Sequence, residues 1–154
     1  MRPELQFVAT GVVIRASSAS VFVGSGPFAA DVVASTDDGT VRGRHEKVGI
    51  VKKKQGFVIT FPDVTIAVLA GLVEKKEVKE YGADVVILAR KDEALVMGVR
   101  PKLAILRGTM YDARDLAVKT GVQVIAVQQR SIIDLFSYGA LGEQKALSKF
   151  TEEK

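Results

Sequence analysis

Short runs of β-branched and aromatic residues, each closed by turn residues, fill the first 61 positions of this chain. That spacing constrains the fold more than any other feature, because runs of this length punctuated by Gly, Ser and Asp read as strands and turns. Residues 7–14 read as one strand and 21–23 as a short one, separated by the turn at 17–20. Gly24-Ser25-Gly26-Pro27 closes the second, and residues 28–34 are open between helix and strand. Asp37-Asp38-Gly39 is a turn, since Asp-Gly tolerates positive φ. Residues 48–51 and 57–61 predict a hairpin whose loop, Lys52-Lys53-Lys54-Gln55-Gly56, carries ammonium groups at its tip.

The remainder predicts alternating helices and strands. Pro62 suits a first helical position and Asp63 the positive end of the helix dipole. Val64, Val68 and Leu72 recur every four residues, which predicts a helix through Tyr81, with Gly82 as a left-handed cap. Strands are expected at 84–89, 94–99, 103–106 and 122–127, with a turn at 90–93. Thr109 and Asp112 resemble a capping box opening a helix that ends near Lys119, before Gly121. Ser131 and Asp134 predict a further helix through Phe136, and 142–154 reads as a polar amphipathic helix or a frayed end. The expected fold class is therefore α/β (α+β). A β-rich N-terminal subdomain with a basic hairpin, 1–61, precedes a restriction-endonuclease-like α-β-β-β-α-β core with C-terminal helices, 62–154.

Charge singles out the hairpin. Between Val41 and Phe57 stand six basic residues, Arg42, Arg44, Lys47, Lys52, Lys53 and Lys54, against one acid, Glu46. That local excess is larger than the net +4 of the whole chain, and such a cluster is the electrostatic footprint of a polyanion. The competing reading is a solvated hairpin whose lysines serve solubility. Phe57 is a candidate for stacking on a base, although the aromatic content is only 6%. Expected partners are thus RNA or single-stranded DNA.

Catalytic chemistry finds little support. With no cysteine, disulfides, thiolate metal sites and cysteine nucleophiles are excluded. One histidine, His45, lies inside the basic segment, so no metal and no cofactor is expected. There is no GxxxxGK[ST] loop, and Gly24-Ser25-Gly26 lacks the full dinucleotide fingerprint. Asp84 could open a nuclease metal site, but Met97-Gly98-Val99 stands where Glu-x-Lys should follow. An unorthodox nuclease site near Asp84, Lys102 and Lys119 is the remaining enzymatic alternative. Asp112 and Asp115 read as solvated helix carboxylates that Arg114 and Lys119 could balance. The N-terminus lacks the apolar run of a signal peptide, and 65–73 is too short to span a membrane, so a cytoplasmic location is expected. Ile132, Ile133, Leu135 and Phe136 offer an apolar helix that could form an oligomer interface.

The run KEYGADVVILA, with Tyr81-Gly82-x-Asp84 at its centre, resembles the C-terminal domain of archaeal tRNA-splicing endonucleases. The resemblance covers residues 9–30 and 63–128. It implies metal-free RNA cleavage by Tyr, His and Lys, with Lys119 the matching lysine. No histidine follows His45, so it implies a non-catalytic structural subunit that assembles with a catalytic partner. Size, basic charge and the lysine-tipped hairpin are also similar to the ThermoDBP-type single-stranded DNA-binding proteins of hot-living archaea. Both resemblances imply a non-catalytic nucleic-acid-binding protein contacting phosphates through the basic hairpin. The alternative is an oligomeric structural protein without a nucleic-acid partner.

Overall fold

The computed structural model describes residues 3–16, 19–128 and 131–135. In chain order the elements are β1 (Glu4–Val8), β2 (Gly11–Arg15), β3 (Ser20–Gly24), β4 (Val32–Ser35), β5 (Val41–Gly43), β6 (Gly49–Lys53), β7 (Gly56–Thr60) and β8 (Thr65–Leu69). A 3₁₀ helix (Lys75–Tyr81) follows, then β9 (Val85–Leu88), α1 (Glu93–Val99), β10 (Leu103–Arg107), α2 (Met110–Thr120), β11 (Val124–Val127) and β12 (Ile132–Asp134). They form two six-stranded mixed sheets, ordered β12-β1-β2-β3-β4-β5 and β11-β10-β9-β8-β7-β6. None of the described helices is long and apolar enough to cross a membrane.

The sheets face each other across one apolar core. Leu5, Phe7, Val12 and Ile14 of the first sheet meet Phe57, Ile59, Ile66, Val85, Ile87, Leu103 and Ile105 of the second. Side chains of a strand alternate between faces, so the same strands also build a second cluster. Val86, Leu88, Ala104 and Leu106 point the other way and pack under the helices with Leu95, Val96, Ala113 and Leu116. Strands β8 to β11 run parallel to one another. Such strands are covered on both faces and read as continuous apolar runs rather than alternating ones.

That property explains where sequence and structure part. The segment from Pro62 to Tyr81 is not one helix: Thr65–Leu69 pairs in the sheet, and only Lys75–Tyr81 coils. Its four-residue apolar spacing is the accident of a strand buried on both faces. Gly82 has φ −55, so it is no left-handed cap. Residues 93–99 form α1 instead of a strand, because the Asp92 side chain accepts the Leu95 amide at 3.2 Å and caps the turn. Ile132–Asp134 is a strand paired to β1, not a helix. The restriction-endonuclease-like core is thereby replaced by two stacked mixed sheets. Other expectations hold, among them strands at Val85–Leu88, Leu103–Arg107 and Val124–Val127. The hairpin forms from β6 and β7. Gly39 turns with φ 75. The helix from Met110 is capped by Thr109 and ends at left-handed Gly121.

At one end of the first sheet the β1–β2 turn, β2 and β3 lie in close contact. A Cβ on Gly11 would lie 2.2 Å from Val23 O, and one on Gly24 2.3 Å from Thr10 O. Only glycine lets the β1–β2 turn rest directly on the end of β3.

Candidate functional site

A cleft of about 260 Å³ opens at this end, between the sheets. The second sheet supplies the carboxyl ends of three parallel strands: Leu69 of β8 with Ala70 after it, Leu88 of β9 with Ala89 after it, and Arg107 of β10. The first sheet supplies the β1–β2 turn, Ala9 and Thr10, with Gly24 and Thr36. Ligands of open α/β sheets bind in crevices beyond the carboxyl ends of parallel strands, so the location itself is a binding location.

Arg107 is the charged group among the described residues that line the cleft. Its Nη2 donates to Val8 O at 3.1 Å and to Gly11 O. Its guanidinium carbon lies 5.0 Å from the centre of the Phe7 ring. No carboxylate among the described residues pairs with it. Burial pushes its pKa below the usual arginine range. A guanidinium carries five N–H donors, and those on Nε and Nη1 have no partner among the described residues. The cleft therefore presents a rigid, partly desolvated cation with open donors, surrounded by small apolar residues. That arrangement attracts an anion that can accept two parallel bonds, a carboxylate or a phosphate.

The residues singled out by the sequence do not line this cleft. Arg42 is exposed on β5 of the first sheet, while Lys52 and Lys53 are on β6 of the second. Lys53 pairs with Glu80 at 3.9 Å and Lys54 with Glu74 at 3.0 Å. The Glu74 bond and charge raise the Lys54 pKa. Arg44 and Lys47 are exposed in the connection between the sheets, where His45 Nδ1 accepts the Lys47 amide at 3.2 Å. Phe57 is 3% exposed in the inter-sheet core, so it presents no face to a base. Lys119 pairs with Asp115 at 3.3 Å on the surface of α2, and Lys102 lies 3.9 Å from Asp84. Asp84 also accepts the Thr65 amide, a structural task. Ile133 and Leu135 belong to the inter-sheet core, Ile132 is exposed on β12, and Phe136 lies outside the described residues. Arg107 drew no attention in the sequence. The signal was its position, at the end of the apolar run Leu103–Leu106 and directly before a capped helix.

No family model matches the chain, and no curated protein matches it. Two solved structures share its architecture. One, from Thermotoga maritima, is provisionally assigned as a Zn-dependent hydrolase of the metallo-β-lactamase superfamily. It is 13% identical, covering 82% of this chain and 98% of its own, with a TM-score of 0.55. The other is the metallo-β-lactamase fold protein YhfI from Bacillus subtilis, 10% identical, covering 87% of this chain and 100% of its own, with a TM-score of 0.57. The fold is thus that of the metallo-β-lactamase proteins. This corrects the resemblance to tRNA-splicing endonucleases and to ThermoDBP-type proteins, and the nucleic-acid-binding and tRNA-processing readings fall with the families that carried them. The tethering of Lys53 and Lys54 by glutamates of their own chain agrees with that correction.

A zinc centre of the kind named for the Thermotoga protein does not fit the described residues of this chain. Zinc sites take three or four ligands from His, Cys, Asp and Glu. The chain has one histidine and no cysteine. Among the described residues no group of three or more such side chains could hold a metal ion, and none of them lines the cleft.

Proposed function

We propose that this protein uses the metallo-β-lactamase fold as a metal-independent binding module for a small anion, held on Arg107 in the inter-sheet cleft. One observation carries the reading. A partly buried guanidinium lines the cleft, with open donors and no carboxylate partner among the described residues. Leaving a charge partly desolvated and unpaired is costly, and an anionic ligand offsets that cost. The location adds support, since the ends of β8, β9 and β10 converge there. The cysteine-free composition suits a reducing cytoplasm, where we place the protein.

The test is calorimetric titration of inorganic phosphate and of acetate into the protein in buffer containing EDTA. Binding is expected for at least one of them, and the Arg107→Gln variant, shown folded by circular dichroism, loses it. Absence of binding in the parent protein, or undiminished binding in the variant, overturns the reading.

A further inference from the structure

The cleft does not end at Thr36. Thr36, Gly56 and Ala70 also wall a second cavity of about 300 Å³, so the two spaces adjoin. The walls change character across this boundary. The first space is apolar apart from Arg107 and the threonines. The second is faced by Asp37 and Asp38 of the β4–β5 turn and by Lys52, Lys53 and Lys54 of the hairpin.

These charges are not equally available. Lys53 and Lys54 are engaged by Glu80 and Glu74. Asp37 holds the Ser25 hydroxyl at 2.8 Å and the Gly26 amide at 3.2 Å. Lys52 has no ion pair among the described residues. Its stem crosses from the second sheet onto the turn of the first. A Cβ on Gly39 would stand 2.2 Å from its Cε, so glycine at that left-handed position (φ 75) makes room for it. Asp38 binds Thr40 N at 3.0 Å and Thr40 Oγ1 at 2.8 Å, both through Oδ1, and Oδ2 keeps accepting capacity. The Thr36 hydroxyl makes no hydrogen bond among the described residues.

Beside the Ser35 hydroxyl and the Gln55 amide, the second cavity therefore offers the Lys52 ammonium as a donor, the Asp38 carboxylate as an acceptor and the Thr36 hydroxyl. A second anionic group there meets Asp37 and Asp38, and a cationic group meets Lys52. A hydroxyl, which donates once and accepts twice, satisfies both. Resting on the anion reading of the cleft, we infer that the ligand is a polyol of sugar size bearing one phosphate or carboxylate. Its anionic group lies on Arg107 and its hydroxyls on Thr36, Asp38 and Lys52.

Matched pairs of probes test this by calorimetry in EDTA. Glycerol 3-phosphate is compared with propyl phosphate, and gluconate with hexanoate. In one pair or the other, the hydroxylated compound binds about ten-fold tighter, the effect of a few added hydrogen bonds. Which pair shows the advantage distinguishes a phosphate from a carboxylate head. Lys52→Met and Asp38→Asn remove the advantage and leave propyl phosphate or hexanoate binding unchanged, and Thr36→Val is a gentler third variant. Equal affinity within both pairs overturns the inference, as does an advantage that survives all three substitutions. Inorganic phosphate and acetate separate the two levels. If either binds while no hydroxyl advantage exists, only this inference fails. If neither of them binds, the Arg107 site itself is wrong.

Discussion

Two basic regions of this molecule behave in opposite ways. The hairpin and its flanks gather six cations within a short stretch of sequence, yet they stand on both sheets and the connection between them, and two are held by surface glutamates. Arg107 is a single cation, partly withdrawn from water, fixed by two carbonyls and an aromatic ring, and without a carboxylate among the described residues. Exposed ion pairs contribute little, because water screens both partners. A desolvated guanidinium interacts far more strongly with whatever reaches it. Charge density along the sequence and burial in the fold therefore single out different groups, the hairpin cations by the first and the half-buried Arg107 by the second.

The largest expected effect comes from the seat on which Arg107 is anchored. Gly24→Ala places a methyl 2.3 Å from Thr10 O, with backbone on either side. It should destabilise the protein by about 3 kcal/mol in urea unfolding, the upper range of overpacking costs. A loss below about 1 kcal/mol would mean that the β1–β2 turn moves freely, and that the cleft rim is soft. Arg107→Leu is next. It removes two charge-assisted bonds and the contact with Phe7, and should cost about 2 kcal/mol by the same measurement. A neutral result would put Arg107 on the same footing as the hairpin lysines and erase the contrast.

Tyr81 gives a smaller, pH-dependent effect. It is 1% exposed, its hydroxyl oxygen accepts the Gln55 amide at 2.9 Å, and burial pushes its phenol above the ordinary range. A raised folded pKa means the stabilisation is complete below the unfolded value and is lost as pH rises through the folded one. Stability should therefore fall at alkaline pH above the ordinary tyrosine value of 10.0, in step with phenolate absorbance. A Tyr81→Phe variant that loses stability identically at high pH would contradict this. Smallest of all, Lys53→Ala combined with Lys54→Ala should leave the thermal midpoint and anion affinity unresolved from the parent. Zinc or EDTA should likewise leave the midpoint unchanged, and a rise with zinc would reveal ligands that the cleft does not show.

Much of the architecture was legible where local chemistry decides it. The β6–β7 hairpin, the Asp-Gly turn and the Thr109-to-Gly121 helix follow from turn residues and caps that act over a few positions. The buried parallel strand Thr65–Leu69 was not legible, because its apolar run lacks alternation and its four-residue spacing imitates a helix. The run after Asp92 misled in the opposite sense, since a short apolar stretch reads as either element until its cap is seen. The cleft was invisible for a deeper reason. Its walls come from positions as distant as Thr10, Thr36, Gly56 and Arg107, and only the stacking of the two sheets brings them together.

The most direct test follows backbone amide resonances while inorganic phosphate, or acetate where phosphate does not bind, is added in the presence of EDTA. This account predicts saturable shifts at Thr10, Gly11, Ala89 and Gly108, around the Arg107 guanidinium. Shifts confined to Arg42, Arg44 and Lys47, or no shift with either anion, would contradict it.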